Sequence, residues 1–338
     1  MMEIDGSFGE GGGQILRTSI SMSAVTSQPV RIFNIRARRP NPGLAPSHIT
    51  SVEAVAQIVD AEVDGLYPGS KEIVFKPQQL TGGDFEFDVG TAGSISLVLQ
   101  ACLIPAALSK RTVRLDIRGG TDVKWSPPID YMRLVHAPML GAMGVACDIQ
   151  VESRGFYPEG GGRVVAEISP VSKIACLELR SAGKVLAVDG TAFAQNLPEH
   201  VVSRMNHAAL KRLIDLPSVR VDSDLRKGHS TGAGIVLAAR CENTVLGESA
   251  IGERGIRAER LGEDCAANLI ETVRSGATVD EHMLDQILPY LALAEGQSAV
   301  VAEELTMHAE TNMRVIEKFL GRKFETANRD GLVEIKVT

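Results

Sequence analysis

The segment Gly9–Thr18 (GEGGGQILRT) places a glycine run, the carboxylate of Glu10 and the guanidinium of Arg17 at the start of a predicted helix. Glycines let a ligand approach the backbone closely, and the amide groups at a helix N-terminus attract phosphate. A neighbouring carboxylate is a suitable ligand for a divalent cation. The segment therefore indicates a nucleotide phosphate site, although a glycine-rich turn leading into a core helix explains the glycines equally well.

The glycine run differs from two common phosphate-binding motifs. No Gly-Lys-Ser/Thr follows it, which excludes a P-loop, and Gln14 stands where the dinucleotide-binding motif needs its last glycine. A local basic pocket is predicted nearby, because four arginines lie within a short stretch: Arg31, Arg36, Arg38 and Arg39. The net charge of −7 argues against broad binding to duplex backbones. The net charge does not exclude a site that binds one phosphorylated strand end in this basic pocket.

His308 is the histidine with the strongest case for chemistry. It lies between a predicted strand and a predicted helix whose apolar face includes Met313, Ile316 and Leu320. The positive potential at a helix N-terminus lowers the pKa of an imidazole and attracts a phosphate. A neutral imidazole in that position is a nucleophile. A capping or surface role is the alternative that these residues leave open.

Two further histidines have polar neighbours. His48 follows the arginine cluster, where phosphate contact and ordinary solvation are both compatible with the sequence. His282, Asp285 and Gln286 share one face of a predicted helix, since they are spaced i, i+3 and i+4. Such a face suits a purine base, and it suits a polar outer stripe as well.

The bulk composition is that of a globular protein with an aliphatic core. The chain has 338 residues, 44% of them hydrophobic and 4% aromatic, so we expect two domains or one domain with an insertion. Its five cysteines form no Cys-x-x-Cys pair, which argues against a disulfide framework or a zinc site and for a cytoplasmic location. We find no signal-peptide pattern, and the longest apolar run, 97–108, is interrupted by Gln100 and Pro105.

The chain contains an internal repeat. Asp64–Gly69 (DGLYPG) is echoed by Arg154–Glu159 (RGFYPE), and each lies between two predicted strands, as a β-hairpin connection does. Around both segments the order β-α-β-α-β-β recurs. In the first unit the elements before the hairpin are a strand ending near Asp5 and elements at 11–26, 30–36 and 45–59. In the second unit they are predicted at 85–89, 93–108, 112–117 and 128–143.

A third unit can be assembled from two separated pieces. Residues 175–179 supply its first strand, and residues 280–337 supply the other elements, with a final hairpin turning at Arg329–Gly331. The residues between the pieces contain enough strands and helices for a small domain. We therefore predict an α/β (α+β) fold with a large three-unit catalytic domain, 1–180 plus 279–338, and a smaller α/β domain inserted at 181–278.

Six motifs, in the same order, resemble the RNA 3′-terminal phosphate cyclase family. The similarity runs from near residue 3 to the C-terminus and is weakest across the inserted segment. The motifs are Gly9–Arg17, Ile35–Leu44, Gly90–Gln100, Gly119–Asp122, Gly155–Gly162 and His308–Asn312.

The resemblance implies a ligase that uses ATP to convert an RNA 3′-terminal phosphate to a 2′,3′-cyclic phosphodiester. It implies that His308 attacks the α-phosphorus of ATP, releasing pyrophosphate and forming a covalent histidine–AMP. AMP then passes to the RNA 3′-phosphate, and the vicinal 2′-oxygen displaces it. The implied partners are RNA 3′-phosphate ends and a nucleotide, with no membrane, and a homo-oligomer is compatible with the resemblance.

The resemblance also implies the roles of individual residues. Glu10 and Gln100 match metal-binding positions, for Mg²⁺ or Mn²⁺, and Pro127 or Pro128 matches a proline that packs on the adenine. The complete set of expected ATP-binding residues is Glu10, Arg17, Arg36, Arg39, Gln100, Pro127, Pro128, His282, Met283, Leu284, Asp285 and Gln286.

Two positions depart from the family pattern. His282 stands where relatives carry a tyrosine, which predicts weaker or pH-dependent base stacking, and Ser47 replaces a glutamine beside the metal site. One alternative function is a non-catalytic, cyclase-like ribosome-biogenesis protein, but such proteins lack the histidine that His308 matches. An enolpyruvyl transferase is a second alternative on fold analogy, and the glycine and His-x-x-Thr-Asn motifs do not belong to it.

Overall fold

The computed structural model of the chain describes residues 1–337 and shows a mixed α/β fold with four small sheets. The first sheet has the strand order β1-β2-β4-β3, in which β1 and β2 are parallel and the other pairs antiparallel. Helices α1 and α2 follow β1 and β2. The elements are β1 (Met2–Asp5), α1 (Gly13–Thr26), β2 (Val30–Phe33), α2 (Pro46–Ile58), β3 (Glu62–Asp64) and β4 (Ile73–Lys76).

The second unit repeats this topology, with the strand order β5-β6-β8-β7. Its second predicted helix is divided by a π-helical turn, Met132–His136. Pro138, two residues after the turn, cannot donate a backbone N–H. The elements are β5 (Gly83–Asp88), α3 (Ile95–Ala107), β6 (Val113–Gly119), α4 (Ile129–Tyr131), α5 (Ala137–Ala142), β7 (Cys147–Ser153) and β8 (Gly162–Ile168).

The inserted segment has its own sheet, with the strand order β10-β9-β11-β12 and two helices. Its hydrophobic residues form a cluster separate from the main core. Members of this cluster include Ala192, Ala194, Met205 and Leu269. The elements are β9 (Val185–Gln195), α6 (Glu199–Arg212), β10 (Val219–Arg226), β11 (Gly232–Cys241), β12 (Val245–Ile251) and α7 (Ala258–Ser275).

The third unit closes the chain with the strand order β13-β15-β14. The predicted strand at 175–179 is present only as two isolated parallel bridges, Ala175 to Glu295 and Glu178 to Ala299, at the edge of β13. The remaining elements are α8 (Glu281–Leu293), β13 (Ser298–Ala302), α9 (Met307–Leu320), β14 (Phe324–Arg329) and β15 (Leu332–Val337).

One hydrophobic core joins the three repeated units. It includes Leu16 of α1, Val98 of α3, Leu288 of α8 and Ile316 of α9, all of which are buried. Helix α1 packs against α2, α3 and α9, and α8 packs against α9. The N-terminal ends of helices from different units are thereby brought near one another. None of the helices in residues 1–337 combines the length and apolarity needed to cross a membrane.

A buried charge cluster connects the second unit to the inserted segment. Arg154, with a side chain 1% exposed, pairs with Asp122 at 3.0 Å, Asp130 at 2.5 Å and Asp224 at 2.9 Å. Its guanidinium also lies 3.9 Å from the ring centroid of Phe193. Burial lowers the pKa of Arg154, but the three carboxylates together raise it above its ordinary value. The cluster fixes both ends of the loop between β6 and α4.

Candidate active site

The glycine turn between β1 and α1 lies directly against α9. Gly9 and Gly11 have φ angles of 53° and 64°, which suit glycine, and the Gly11 N–H donates to the Phe8 carbonyl at 2.9 Å. A β-carbon on Gly9 would clash with Thr311 Oγ1, and one on Gly13 would clash with the imidazole of His48. The turn therefore needs glycine to bring Glu10 close to α9.

His308 lies in the first turn of α9, where the N-cap residue Thr306 accepts a hydrogen bond from the Ala309 N–H at 3.0 Å. Its Nε2 atom contacts the Glu10 carboxylate, and its Nδ1 atom lies 3.3 Å from Asp285 Oδ2. Partial burial lowers the pKa of His308, while 44% of the side chain stays exposed. The imidazole is thus neutral at physiological pH and accessible to a substrate.

Asp285 connects His308 to the surrounding helices. Its Oδ1 atom accepts a hydrogen bond from the Thr306 hydroxyl at 3.3 Å, and burial raises the pKa of Asp285 to about 7. Asn312 donates to the Asp285 carbonyl at 2.8 Å and accepts from the Thr18 hydroxyl at 2.7 Å. Helices α1, α8 and α9 therefore hold the residues around His308 in one hydrogen-bonded network.

A cavity of about 1090 Å³ opens in front of these residues. That volume is sufficient for a nucleotide together with part of a second substrate. The residues predicted for the site that line it are Glu10, Arg17, Arg36, Arg39, Gln100, Pro127, His282, Asp285, Gln286 and His308.

Three residues predicted for the nucleotide site do not line the cavity. Met283 and Leu284 are completely buried in the main core, since they lie on the face of α8 opposite Asp285 and Gln286. Pro128 is buried at the N-terminal end of α4. Of the two candidate prolines, the structure brings only Pro127 to the cavity wall.

Two of the three arginines that line the cavity have no carboxylate partner among residues 1–337. Arg17 has no carboxylate partner among residues 1–337, and burial lowers its pKa to about 10. Arg36 donates to the Gly43 carbonyl at 2.8 Å, and burial, with the nearby charge of Arg39, lowers its pKa. Arg39 pairs with Glu10. Because a buried cation without a counter-ion is costly, Arg17 and Arg36 favour an anionic ligand such as a phosphate chain.

His48 and His136 line the same cavity in their neutral forms. The pKa of each is lowered to about 3, by burial for His136 and by burial together with the charges of Arg17 and Arg36 for His48. The Ala45 N–H donates to His48 Nδ1 at 3.1 Å, so His48 has a structural partner. The sequence alone is compatible with either phosphate contact or ordinary solvation at His48.

The sequence does not indicate two buried residues of the cavity wall, His136 and Tyr290. Neither ring nitrogen of His136 has a hydrogen-bond partner in residues 1–337, nor does the hydroxyl of Tyr290. The two rings meet edge to face, with centroids 6.1 Å apart. His136 ends the π-helical turn, and a π-helical turn is not evident from periodicity, so the sequence carried no signal for this pair.

His282 is held at the cavity wall by a second polar network. Its ring meets that of Tyr131 edge to face at 5.9 Å, and the Tyr131 hydroxyl donates to Asp280 at 2.5 Å. Asp280 also accepts from the Met283 N–H at 2.9 Å and, across to the inserted segment, from the Gly247 N–H at 2.8 Å. Asp280 thus sets where α8 begins and how it presents His282 to the cavity.

Comparison with known proteins gives the family of this chain. The family model described as RNA 3′-terminal phosphate cyclase matches residues 8–326. The chain belongs to this family. A protein of Nitrosospira multiformis, named RNA 3′-terminal phosphate cyclase, is 44% identical over 99% of this chain and 96% of its own length. Proteins of the same name from Ignicoccus hospitalis and Methanosarcina barkeri are 49% identical (95% of this chain, 93% of theirs) and 44% identical (100% of both).

A solved structure of EPSP synthase from Acinetobacter baumannii also aligns with the chain. The sequences are 12% identical, and the alignment covers 98% of this chain and 64% of that chain with a TM-score of 0.32.

Glu10 and Gln100, the two residues expected to bind a metal ion, do not belong to a closed metal centre in the part of the chain that is described. In residues 1–337 no group of three or more histidine, cysteine, aspartate or glutamate side chains is arranged to hold a metal ion. Glu10 and Gln100 nevertheless line the same cavity as the two unneutralised arginines. One carboxylate, one amide oxygen and the oxygens of a bound phosphate chain are a donor set that Mg²⁺ accepts, so the residues present fit such an ion.

Proposed function

We propose that this cyclase-family chain uses ATP to convert an RNA 3′-terminal phosphate to a 2′,3′-cyclic phosphodiester, with His308 as the covalently adenylated residue. The observation that carries the proposal is the meeting of three features in one cavity. A neutral, accessible imidazole lies against the carboxylate of the glycine turn, in a cavity that also holds two arginines without an acidic partner among residues 1–337.

The first step is attack of His308 Nε2 on the α-phosphorus of ATP. A bond forms between nitrogen and phosphorus, the bond to the bridging oxygen breaks, and pyrophosphate leaves. Asp285 supports the step because its carboxylate lies 3.3 Å from Nδ1 and favours a proton on that nitrogen, which leaves Nε2 unprotonated as the attacking atom. Arg17 and Arg36 supply positive charge for the phosphates, where positioning and charge neutralisation dominate the barrier.

Two further steps regenerate the enzyme. An oxygen of the RNA 3′-phosphate attacks the phosphorus of histidine–AMP, which frees His308 and gives an RNA 3′-adenylate. The vicinal 2′-hydroxyl then attacks the phosphorus of the RNA 3′-phosphate, releasing AMP and closing the ring. One difficult condensation is thereby divided into steps with good leaving groups.

The nucleoside of ATP is assigned to the wall formed by Pro127 and by His282, Asp285 and Gln286 on α8. Proline and imidazole offer flat surfaces to a purine, and the Asp285 and Gln286 side chains offer polar contacts. Gln286 Oε1 is buried without a hydrogen-bond partner in residues 1–337, so it is available to accept one from a ligand. This arrangement supports a base site at this wall.

Glu10 and Gln100 would hold a divalent cation, Mg²⁺ or Mn²⁺. When bound there, the ion supplies Lewis-acid neutralisation of the phosphate oxygens. Glu10 is already close to His308, so the same carboxylate positions the imidazole. Ser47, where the family pattern has a glutamine, follows Pro46 at the start of α2.

The domain division and the setting of the protein are also proposals. The separate hydrophobic cluster within 188–269 supports a small domain at 181–278 inserted into the domain formed by 1–180 and 279–338. We further propose RNA 3′-phosphate ends as the partner and a cytoplasmic location, the latter on the scattered, unpaired cysteines.

Covalent labelling tests the proposal directly. ATP labelled at the α-phosphate should label the wild-type protein, and His308→Ala should abolish the label. The matched control His207→Ala, an exposed histidine on α6, should label normally. The phosphoramidate bond should be broken by acid and survive alkali. Label retained in His308→Ala, or a bond with the opposite stability, would contradict the proposed adduct.

A further inference from the structure

Trp125 is an exposed indole at the mouth of the cavity. It is the one tryptophan of the chain, its side chain is 95% exposed, and it lines the cavity together with Pro127. Tryptophan is a residue that folded chains usually bury to a large degree, because its apolar area is large. The full exposure of Trp125 beside the cavity therefore indicates that its ring contacts a ligand and does not serve the hydrophobic core.

The loop that carries Trp125 is held in place on both sides. The Ile129 N–H donates to the Thr121 carbonyl at 2.9 Å, and the Ser126 hydroxyl donates to the Val123 carbonyl at 3.1 Å. Lys124 pairs with Glu253 of the inserted segment at 2.8 Å. These contacts keep the loop, and with it the indole, at the cavity rim.

The backbone of Trp125 has a φ angle of 60°. A bulky residue in this region costs about 1–3 kcal/mol and persists only where its surroundings impose it. No aromatic or cationic side chain among residues 1–337 packs on the indole ring. Both faces of the ring are accordingly open to a ligand.

Trp125 lies at the cavity rim, apart from the wall that the proposed function assigns to adenine. In the proposed function the adenine occupies the wall at Pro127 and His282, inside the cavity. Trp125, 95% exposed, lies two residues before the half-buried Pro127 in the chain, a separation of at most about 7 Å. An RNA end that reaches His308 from solvent has to pass the rim, where Arg39, 40% exposed, also offers a positive charge to its backbone.

We propose that Trp125 is the stacking platform for the base of the RNA's 3′-terminal nucleotide. The inference rests on the proposed function and adds to it the part of the surface that holds the second substrate. Stacking on an aromatic ring is tolerant of base identity, since every base has a π-face. It requires an unpaired base, so Trp125 selects single-stranded ends.

The tryptophan itself reports the contact, because no other indole contributes to the emission. A 3′-phosphorylated, single-stranded oligoribonucleotide should quench the fluorescence of the wild-type protein saturably in the absence of ATP. The same oligonucleotide with an abasic terminal ribose keeps its phosphate and 2′-hydroxyl but should not quench. ATP alone should not reproduce the effect of RNA. Quenching by ATP and not by RNA would overturn the proposal and assign the indole to the nucleotide.

Kinetics provide the second readout. Trp125→Ala should raise the KM for RNA by about 5- to 150-fold, which is the ~1–3 kcal/mol of one base stack at 1.4 kcal/mol per tenfold. Trp125→Phe should restore most of the loss, and the KM for ATP should stay the same in both. The matched control is Tyr67→Ala, an aromatic residue 60% exposed and outside the cavity. An unchanged KM for RNA in Trp125→Ala, while the wild type is labelled by ATP, would refute the stacking role alone; absent wild-type labelling would refute the proposed function.

Discussion

The contact between Asp285 and His308 gives the sharpest test of the proposed first step. In Asp285→Asn the carboxylate becomes an amide of the same shape, so the Nδ1–H of His308 retains an acceptor that has lost its charge. The Thr306 hydroxyl, 3.3 Å from the other oxygen of Asp285, then faces the amide nitrogen and can accept a hydrogen bond from it. The substitution therefore removes the negative charge of residue 285 and keeps the shape and packing of its side chain.

The size of the effect follows from the distance. Hydrogen bonds to charged groups contribute about 1.5–3 kcal/mol and those between neutral groups about 0.5–1.5 kcal/mol. The Nδ1–Oδ2 distance of 3.3 Å is long, which places the pair at the weak end of the charged range. We expect a loss of about 1–1.4 kcal/mol, and hence a five- to tenfold slower self-adenylation at pH 8.

The same substitution should change the pH dependence. Burial raises the pKa of Asp285 to about 7, so its carboxylate is ionised at pH 8 and mostly protonated at pH 6. The wild type should lose rate as the pH falls through 7, whereas Asp285→Asn has no such group to titrate. Burial lowers the pKa of His308, which places its own protonation further towards acid. The ratio of the wild-type self-adenylation rate to the Asp285→Asn rate should fall to about twofold at pH 6.

Single-turnover labelling with α-labelled ATP between pH 6 and pH 8 measures both effects. Asp264→Asn serves as the matched control, because that carboxylate is 62% exposed on α7 and, within residues 1–337, pairs only with Arg260, at 3.2 Å. If Asp285→Asn labelled at the wild-type rate at pH 8, or kept the wild-type decline towards pH 6, the orienting role of Asp285 would be wrong.

Two further substitutions test the charges around the site. Arg17→Met should raise the KM for ATP by about 10- to 150-fold, the range for one charge-assisted hydrogen bond. Thermal unfolding should show a Tm that is unchanged or higher, because the half-buried Arg17 guanidinium has no carboxylate partner among residues 1–337. A clear fall in Tm would show that Arg17 has a structural role instead. Arg154→Ala should lower the free energy of unfolding in urea by about 3–5 kcal/mol, because three carboxylates lose their buried partner. The control Arg220→Ala removes an exposed pair with Asp222 and should have far less effect; equal losses in both would contradict the importance of burial.

The repeated units could be predicted from the sequence because their signals are local. Turn residues such as Asp64–Gly69, hydrophobic periodicity and helix-ending glycines such as Gly321 act over a few residues. The prediction was weakest where long-range pairing decides the structure. The strand expected at 175–179 forms only two bridges to residues near β13, and the helix expected at 128–143 contains a π-helical turn.

The sequence by itself determined which side chains were available for chemistry: a histidine before a helix, a carboxylate in a glycine turn, and a set of arginines. It could not determine that Glu10 and His308, near opposite ends of the chain, would touch, or that Asp285 would face the imidazole while Met283 and Leu284 face the core. Those relations depend on how α1, α8 and α9 pack. Packing is a property of three-dimensional complementarity between distant segments, and burial then sets the pKa values of the groups that packing brings together.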